Sequence, residues 1–477
     1  MKLFGTNGIR GIANDVVTPD LAMGIAKSFG TFLGASDKKI TLAIGRDTRE
    51  SGDMLKAAAI AGALSAGCRV VDVGCAPTPT IQYWVRDFAD AGIVITASHN
   101  PREDNGIKLI AGDGTECAHE DEAQVEDIYF NKKFENVGWE RTGRLSSAQI
   151  LDHYRDGIID AVDAKSIRNK KFKVVADCGC GAGAATTPFI LQELGCHVIA
   201  INAQLDGTFP ARNPEPTREA LTELVALVKE TGADIGLAHD GDADRVVFVD
   251  ENGNFVDEEV LLAMMAKHML KHSSAKDKDK RVVTPISSSL RIRDVTQAAG
   301  GELIWTAVGS IYVARTMMET GAIFGGEGNG GLVFPQHQYC RDGAMTMAKV
   351  LEAMAQGRKL SEIAADVPEY VNAKTKIRCT DPGAVMSAVK EKLTGDESTG
   401  RNGDEDQNKN KKTDNIIEID DRDGLKYFYT DGWVLIRPSG TEPIIRIYAE
   451  SKSSARANEL MEKAAHLVDG ANSLLTA

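Results

Sequence analysis

The 477-residue chain reads as an α/β protein: three related α/β domains built on βαβ repeats, plus a C-terminal α+β domain, set around a central cleft. Three observations predict this. The chain is longer than one hydrophobic core supports, since single cores stop growing beyond about 250–300 residues. A pattern of strand, polar glycine-containing loop, helix and strand occurs at residues 41–74, at 173–202 and again from 281, and such recurrence marks repeated units rather than one long sheet. From about residue 373 the pattern stops, and strands cluster between two helices, which is α+β character. The domains read as 1–150, 151–257, 258–369 and 370–477.

Taken in order, the chain opens with Phe4-Gly5-Thr6-Asn7-Gly8-Ile9-Arg10-Gly11, too rich in glycine for a helix. It suits a loop that brings Arg10 to an anion, or a plain surface turn. Thr18 followed by Pro19 starts a helix with Leu21, Ile25, Phe29 and Phe32 on its apolar face. The first repeat has strand at 42–44, loop at 45–47, helix at 54–66, a stop at Gly67 and strand at 70–73. In the second, strand 174–176, loop 177–183, a helix ending near 194–195 and strand 198–201 follow the same plan. The third has strand 282–284, serines at 287–289, a helix to 300 and strand 303–305.

Each repeat is followed by one more short strand opening onto a distinctive loop. Residues 92–95 open onto Ser98, 233–237 onto Asp240, and 322–324 onto the glycine-rich stretch 325–331. Ligands of α/β sheets bind beyond the carboxyl ends of strands, so these loops are expected to face one cleft. The last domain reads as strand 375–377, helix 382–393, strands near 416–419, 426–429, 433–436 and 444–448, and a helix from Ser454. Residues 395–415 contain almost only Gly, Asp, Glu, Asn, Lys and Gln, with no large apolar residue. A segment of that kind cannot bury enough surface to order itself and is expected to be a disordered insertion.

Composition narrows the function classes. With 55 Lys plus Arg against 69 Asp plus Glu, the formal charge is −14. That argues against binding nucleic acid or an anionic membrane, both of which need clustered positive charge. A phosphorylated small molecule stays possible, because local arginines can act inside an acidic whole. Eight cysteines are scattered without a metal or redox spacing and read as reduced, mostly buried thiols. Neither a signal peptide nor a membrane-length apolar run is present in the sequence, so a cytoplasmic protein is expected. Oligomeric state is not readable.

Four loops carry chemistry. In Thr96-Ala97-Ser98-His99-Asn100-Pro101, followed by Asn105-Gly106-Ile107-Lys108, a serine sits on a turn after a buried strand, with a histidine and a lysine nearby. Such a hydroxyl can be a nucleophile or a phosphate carrier, or merely part of a self-bonded polar turn. Asp240-Gly241-Asp242-Ala243-Asp244-Arg245 sets three carboxylates at alternate positions, hard oxygen ligands suited to Mg²⁺. A calcium loop would want glycine where Arg245 stands, and an aspartyl-phosphate phosphatase would use Asp240 as nucleophile. In Gly326-Glu327-Gly328-Asn329-Gly330-Gly331, Glu327 and Asn329 offer donors and acceptors to sugar hydroxyls; residues 306–310, including Gly309, are a further candidate wall. Arg437-Pro438-Ser439-Gly440-Thr441-Glu442-Pro443, with Arg446, joins two strands and can form an anion nest with paired arginines.

These loops, in this order and over the whole chain, resemble the α-D-phosphohexomutase superfamily. The resemblance implies an intramolecular phosphotransferase that interconverts hexose 6-phosphate and hexose 1-phosphate. It implies that Ser98 carries a phosphate in the resting enzyme, passes it to the sugar phosphate to make a hexose 1,6-bisphosphate, and recovers the other phosphate after the intermediate turns over. The matching positions imply Asp240, Asp242 and Asp244 as holders of Mg²⁺ against the Ser98 oxygen. Arg245 would add a positive partner, and Arg10 and Lys108 would flank the serine, with Lys108 transferring the proton to or from the attacking hydroxyl. Glu327 and Asn329 would grip the sugar, and Arg437, Ser439, Gly440, Thr441 and Arg446 the phosphate that does not react.

Two departures stand out: many members have Ser where Asn329 stands and His where Gly331 stands, the latter a candidate acid or base. Here that role falls to His99, Lys108 or water. The Gly-Glu-Gly-Asn-Gly-Gly form is similar to archaeal-type members, which points to glucosamine phosphate first, with mannose and glucose phosphates close behind. A Mg²⁺-dependent sugar phosphatase and a non-catalytic sugar-phosphate sensor are the competing functions. The resemblance also leads us to expect closure of the last domain on substrate through a hinge near 368–373.

Overall fold

The computed structural model describes residues 2–273, 280–397, 416–439 and 443–476. The chain divides into two compact units. One comprises 1–284, 295–304 and 309–367, the other 285–294, 305–308 and 368–477. Among the described residues the architecture is α/β overall, as the repeats predict, on four sheets of six, five, four and five strands.

The three repeats share one topology. In the first sheet Thr41–Arg46 lies between Arg69–Cys75 and Ala91–Ile95, parallel to both, and Asp104–Ala111 then pairs antiparallel with Ala91–Ile95. The second sheet repeats this with Lys173–Asp177 between His197–Ile201 and Ile235–His239, and Val246–Asp250 antiparallel beside the last. The third has Arg281–Pro285 between Glu302–Thr306 and Phe324–Glu327, with Gly331–Val333 antiparallel next to it. The chemically distinctive loops therefore occupy one equivalent position, the turn between the third strand and the antiparallel fourth.

Local sequence explains the scaffold. The helix Pro19–Phe32 begins where Thr18 accepts a hydrogen bond from Leu21 N, with Pro19 at its first position. Its buried Leu21, Ile25 and Phe29 join Ile44, Ile93, Ile95 and Leu109 of the sheet in one core. Ala91–Ile95, Ile235–His239 and Val246–Asp250 are buried at every position, so they read as continuous apolar runs rather than alternating ones. A strand buried on both faces holds its terminal loop rigidly.

Two expectations need correction. The glycine-rich stretch 325–331 is not one loop: Phe324–Glu327 and Gly331–Val333 pair through Gly325–Val333, Gly326–Leu332 and Glu327–Gly331. Strand pairing claims these glycines because side-chain-free positions let the backbones approach. The low-complexity stretch expected from 395 starts inside the helix Pro382–Glu397, since elongating a helix adds a bond for each residue fixed; residues 398–415 lie outside those described.

In the second unit the strands Val371–Arg378, Ile444–Ser451, Gly432–Pro438, Leu425–Tyr429 and Glu418–Asp420 form one antiparallel sheet. Val385, Val389, Leu460, Ala464 and Val468 pack against it from the two long helices. All eight cysteines are free thiols. Among the described residues no helix is long and apolar enough to cross a membrane.

Candidate active site

Ser98 follows the strand Ala91–Ile95 with a backbone φ of 51°, in the left-handed region. A non-glycine residue there is strained by roughly 1–3 kcal/mol and needs its surroundings to hold it. The holder is Arg49. Its guanidinium donates to the carbonyls of Ser98 (2.8 Å), Asn100 (2.7 Å), Pro101 (2.6 Å) and Asp104 (2.8 Å). Asp47 pairs with Arg49 Nε at 3.1 Å and accepts from Thr96 Oγ1 at 2.6 Å. Thr96 Oγ1 in turn accepts from Ser98 N. This network is buried, and it fixes the serine to the neighbouring strand.

The Ser98 hydroxyl donates to Asp240 Oδ2 at 2.7 Å and lies 3.3 Å from His99 Nδ1. The metal-loop candidate reaches it because residue 241 is glycine: a Cβ there would stand 2.5 Å from the Ser98 carbonyl oxygen. Asp240, Asp242 and Asp244 offer oxygens within 4.8 Å of one another. Ala243, with φ 57°, makes the turn that gathers them. Asp242 Oδ1 and Asp244 Oδ1 are buried without a hydrogen-bond partner among the described residues. Buried acceptors left without donors are costly, and a divalent cation satisfies them, so the residues present fit such an ion.

Cations surround the triad. Lys108 Nζ lies 3.0 Å from Asp242 and 3.4 Å from Asp244. Arg245 spans Asp240 and Glu215, each at 3.2 Å. Arg10 Nη1 donates to Asn100 Oδ1 at 3.0 Å, at the rim of the same loop. Burial, and after it Asp244, push the Asp240 carboxyl up to about 7, because three adjacent carboxylates do not all ionise without a counter-charge. Burial also opposes ionisation of Asp242, but Lys108 and the Thr78 hydroxyl outweigh it and hold that carboxyl below its usual range. Against its own burial, Lys108 is kept charged by Asp242 and Asp244, so it can donate a proton rather than accept one. Burial and the surrounding arginines hold His99 well below its usual range, as a neutral imidazole.

The sugar-loop candidates join this group through the backbone, where Val246 N donates to the Gly330 carbonyl at 3.2 Å. Glu327 Oε2 accepts from Arg341 Nη1 at 3.0 Å, and Asn329 Oδ1 accepts from Gly331 N at 3.1 Å. Gly309 has φ 140° at the start of the helix Ser310–Thr320.

In the second unit, Arg437 and Arg446 stand directly opposite each other across the strand pair. Lys376 continues the row on the next strand, opposite Arg446. Arg437 Nε donates to Asp423 at 2.8 Å, and Ser439 N to the Ile444 carbonyl at 2.9 Å. Gly440 and Thr441 lie outside the described residues.

The structure thus brings together Ser98, His99, Arg10, Lys108, the aspartate triad, Arg245 and Glu327. Sequence reading missed Asp47 and Arg49, which shape the serine turn. It also missed Thr78, whose hydroxyl donates to Asp242 Oδ2 at 2.7 Å, and Arg341, whose Nη2 lies 2.6 Å from Asp244 Oδ2. A signal existed for Arg49: a Gly-Arg-Asp-Thr-Arg stretch at the carboxyl end of the strand Thr41–Arg46.

Comparison with known proteins gives the family. Residues 1–136, 152–253 and 257–370 match the alpha/beta/alpha domains I, II and III of phosphoglucomutase/phosphomannomutase, and 375–467 match its C-terminal domain. The chain is 44% identical over 474 residues to a phosphoglucomutase/phosphomannomutase of Thermococcus kodakarensis, covering 98% of this chain and 99% of that protein. It is 40% identical to a probable phosphoglucosamine mutase of Methanosarcina acetivorans, with 98% and 99% covered. The crystal structure of a phosphoglucomutase/phosphomannomutase family protein from Burkholderia thailandensis matches with a TM-score of 0.84 at 25% identity, covering 98% of this chain and 97% of that one. The chain belongs to the phosphoglucomutase/phosphomannomutase family, a family of isomerase-type phosphotransferases.

Proposed function

We propose that the protein is a phosphohexomutase acting on glucosamine phosphate, moving the phosphate between C6 and C1 through a phosphorylated Ser98 and a hexose 1,6-bisphosphate. The observation that carries this is the Ser98 hydroxyl, held in a strained turn 2.7 Å from Asp240 and beside a buried aspartate triad. The work divides among the four segments 1–150, 151–257, 258–369 and 370–477 as serine loop, metal loop, sugar loop and phosphate loop, a division supported by the four domain matches.

In the forward step the bond between Ser98 Oγ and phosphorus breaks as the sugar hydroxyl bonds to phosphorus, and the proton that hydroxyl gives up is made good on the departing Ser98 oxygen, which becomes a hydroxyl again. Asp240, Asp242 and Asp244 would hold Mg²⁺, which when bound spreads the charge of the transferring group. Arg245 and Arg10 supply further positive charge at the serine. Lys108, kept protonated by its carboxylate partners, suits the return half, in which a leaving sugar oxygen needs a proton. His99, held neutral by burial and the surrounding arginines, is a weak base, and 3.3 Å from the serine oxygen it suits hydrogen bonding to that oxygen rather than taking up a proton. Glu327 and Asn329 bind sugar hydroxyls. Arg437, Ser439, Gly440, Thr441 and Arg446 bind the unreacting phosphate, a role supported by the row of cations that Arg437, Arg446 and Lys376 form across three neighbouring strands.

Mannose or glucose phosphate is the second reading, favoured by the name of the 44% identical relative. Phosphorus NMR decides, with Mg²⁺, a trace of hexose 1,6-bisphosphate, and glucosamine, mannose and glucose 6-phosphates in turn. Growth of a sugar 1-phosphate signal without inorganic phosphate is expected, fastest for glucosamine, and Ser98→Ala abolishes it. Steady release of inorganic phosphate would instead identify a phosphatase, and binding without turnover a sensor.

A further inference from the structure

The backbone at 331 has no side chain to spare room for, because Arg341 fills the space. A Cβ on Gly331 would stand 2.3 Å from Arg341 Cδ and 3.0 Å from its Cγ. From that slot the guanidinium reaches two loops at once. Nη2 lies 2.6 Å from Asp244 Oδ2, and Nη1 lies 3.0 Å from Glu327 Oε2. One carboxylate belongs to the metal-loop candidate and the other to the sugar-loop candidate. Asp244 is therefore claimed by Arg341 and Lys108 through Oδ2, while its Oδ1, 3.7 Å from Arg245 Nε, is buried without a hydrogen-bond partner among the described residues.

The arm stands on a fixed base. The next residue, Asp342, caps the helix Gly343–Ala355 by accepting from Met345 N at 2.9 Å, and it takes the Tyr154 hydroxyl at 2.6 Å and Gln338 Nε2 at 2.8 Å. Gly343 N donates to the carbonyl of Ala243, inside the aspartate turn, at 3.2 Å. A guanidinium on a stem packed against a glycine, with its backbone anchored on the far side, is pre-organised to hold both partners.

We propose that Arg341 is a positioning residue that couples the two loops, fixing Glu327 for the sugar while competing with the divalent cation for Asp244. A metal taking Asp244 through Oδ1 shares the carboxylate with the guanidinium on Oδ2, and that neighbouring positive charge lowers metal affinity below what the three aspartates alone would give. Gly331 is the complement of this arrangement, the residue that lets the arm through. The sugar half rests on the mutase reading; the metal half does not.

The test is calorimetric titration of Mg²⁺ into the full-length protein, its Arg341→Ala and Gly331→Ala variants and the double variant, beside KM and kcat for hexose 6-phosphates. Arg341→Ala is expected to bind Mg²⁺ about tenfold tighter, the size of one competing charge removed from a partly desolvated site. Its KM is expected to rise about tenfold or more as Glu327 loses its anchor. Gly331→Ala, which pushes the arm aside, should shift Mg²⁺ affinity the same way, and should add nothing to Arg341→Ala. A merely structural loss would weaken metal binding instead. Unchanged or weaker Mg²⁺ binding in folded Arg341→Ala, or additive effects in the double variant, overturns the proposal; if Arg341→Ala does not fold, Gly331→Ala decides alone. If the unaltered protein turns over no hexose phosphate, the mutase reading fails, and the metal titration still decides the competition at Asp244.

Discussion

Arg49 shows what a single buried side chain can do for a reactive one. It sits wholly buried against Asp47, gathers four carbonyls of the serine turn and lies 5.5 Å from the Phe209 ring. Arg49→Met leaves Asp47 buried without its partner and four acceptors without a donor. Such a loss costs about 3–5 kcal/mol, and denaturant melts should show it. Adding Asp47→Asn should recover part of the stability, because the uncompensated charge goes, yet turnover should stay low because the strained turn has lost its clamp. None of this is visible in Ser98 itself. The sequence shows the serine, the histidine and the three aspartates because they stand in short, chemically unusual runs. Arg49, Thr78 and Arg341 are ordinary residues 49, 164 and 97 positions from the groups they serve, and only folding brings them near.

Elements set the charge states of groups far from the serine. On the helix His119–Phe130, Glu122 is buried and its carboxyl is pushed up to about 8, by burial first and then by Glu116. Its Oε2 lies 2.7 Å from His119 Nδ1, whose imidazole burial pushes down. Both shifts favour the neutral pair, the carboxyl donating to the ring nitrogen. Because the folded state holds this proton to a higher pH than the unfolded state, the contribution is full below about pH 4.5 and is lost as pH rises toward 8. Glu122→Gln should flatten that decline in stability measured against pH, by up to about 1.4 kcal/mol per pH unit. A second element-scale effect belongs to the row Lys376, Arg446, Arg437. Arg446→Ala should raise KM for hexose phosphates about tenfold or more, with less change in kcat, and should remove most of any rise in melting temperature that phosphate produces. A shift confined to kcat would argue against phosphate binding there.

At the scale of the molecule, the repeated strand order was legible in the sequence, because buried parallel strands are written as apolar runs ending in glycine and polar residues. The antiparallel fourth strand was less so. Val246–Asp250 announces itself, but Gly331–Val333 is three residues long and begins in a glycine run that reads as loop. Boundaries such as the continuation of Pro382–Glu397 past 395 were hidden for a similar reason, since composition speaks of average burial and not of where a helix stops. The plan explains how one chain assembles several chemistries: the carboxyl end of the third strand of each repeat leads to a hydroxyl in the first, carboxylates in the second and, as the strand's last residue, a sugar-binding carboxylate candidate in the third.

The grip of Arg49 on the serine turn has a consequence for what a phosphate on Ser98 would mean. Regulatory phosphates work by recruiting arginines that reshape a loop. Here the shaping arginine already has its partners, four main-chain oxygens of the serine turn and the Asp47 carboxylate. On the mutase proposal, loading or unloading the oxygen would change charge with the backbone clamp already in place, so such a phosphate would be a stored reagent, held ready for transfer, and not a signal.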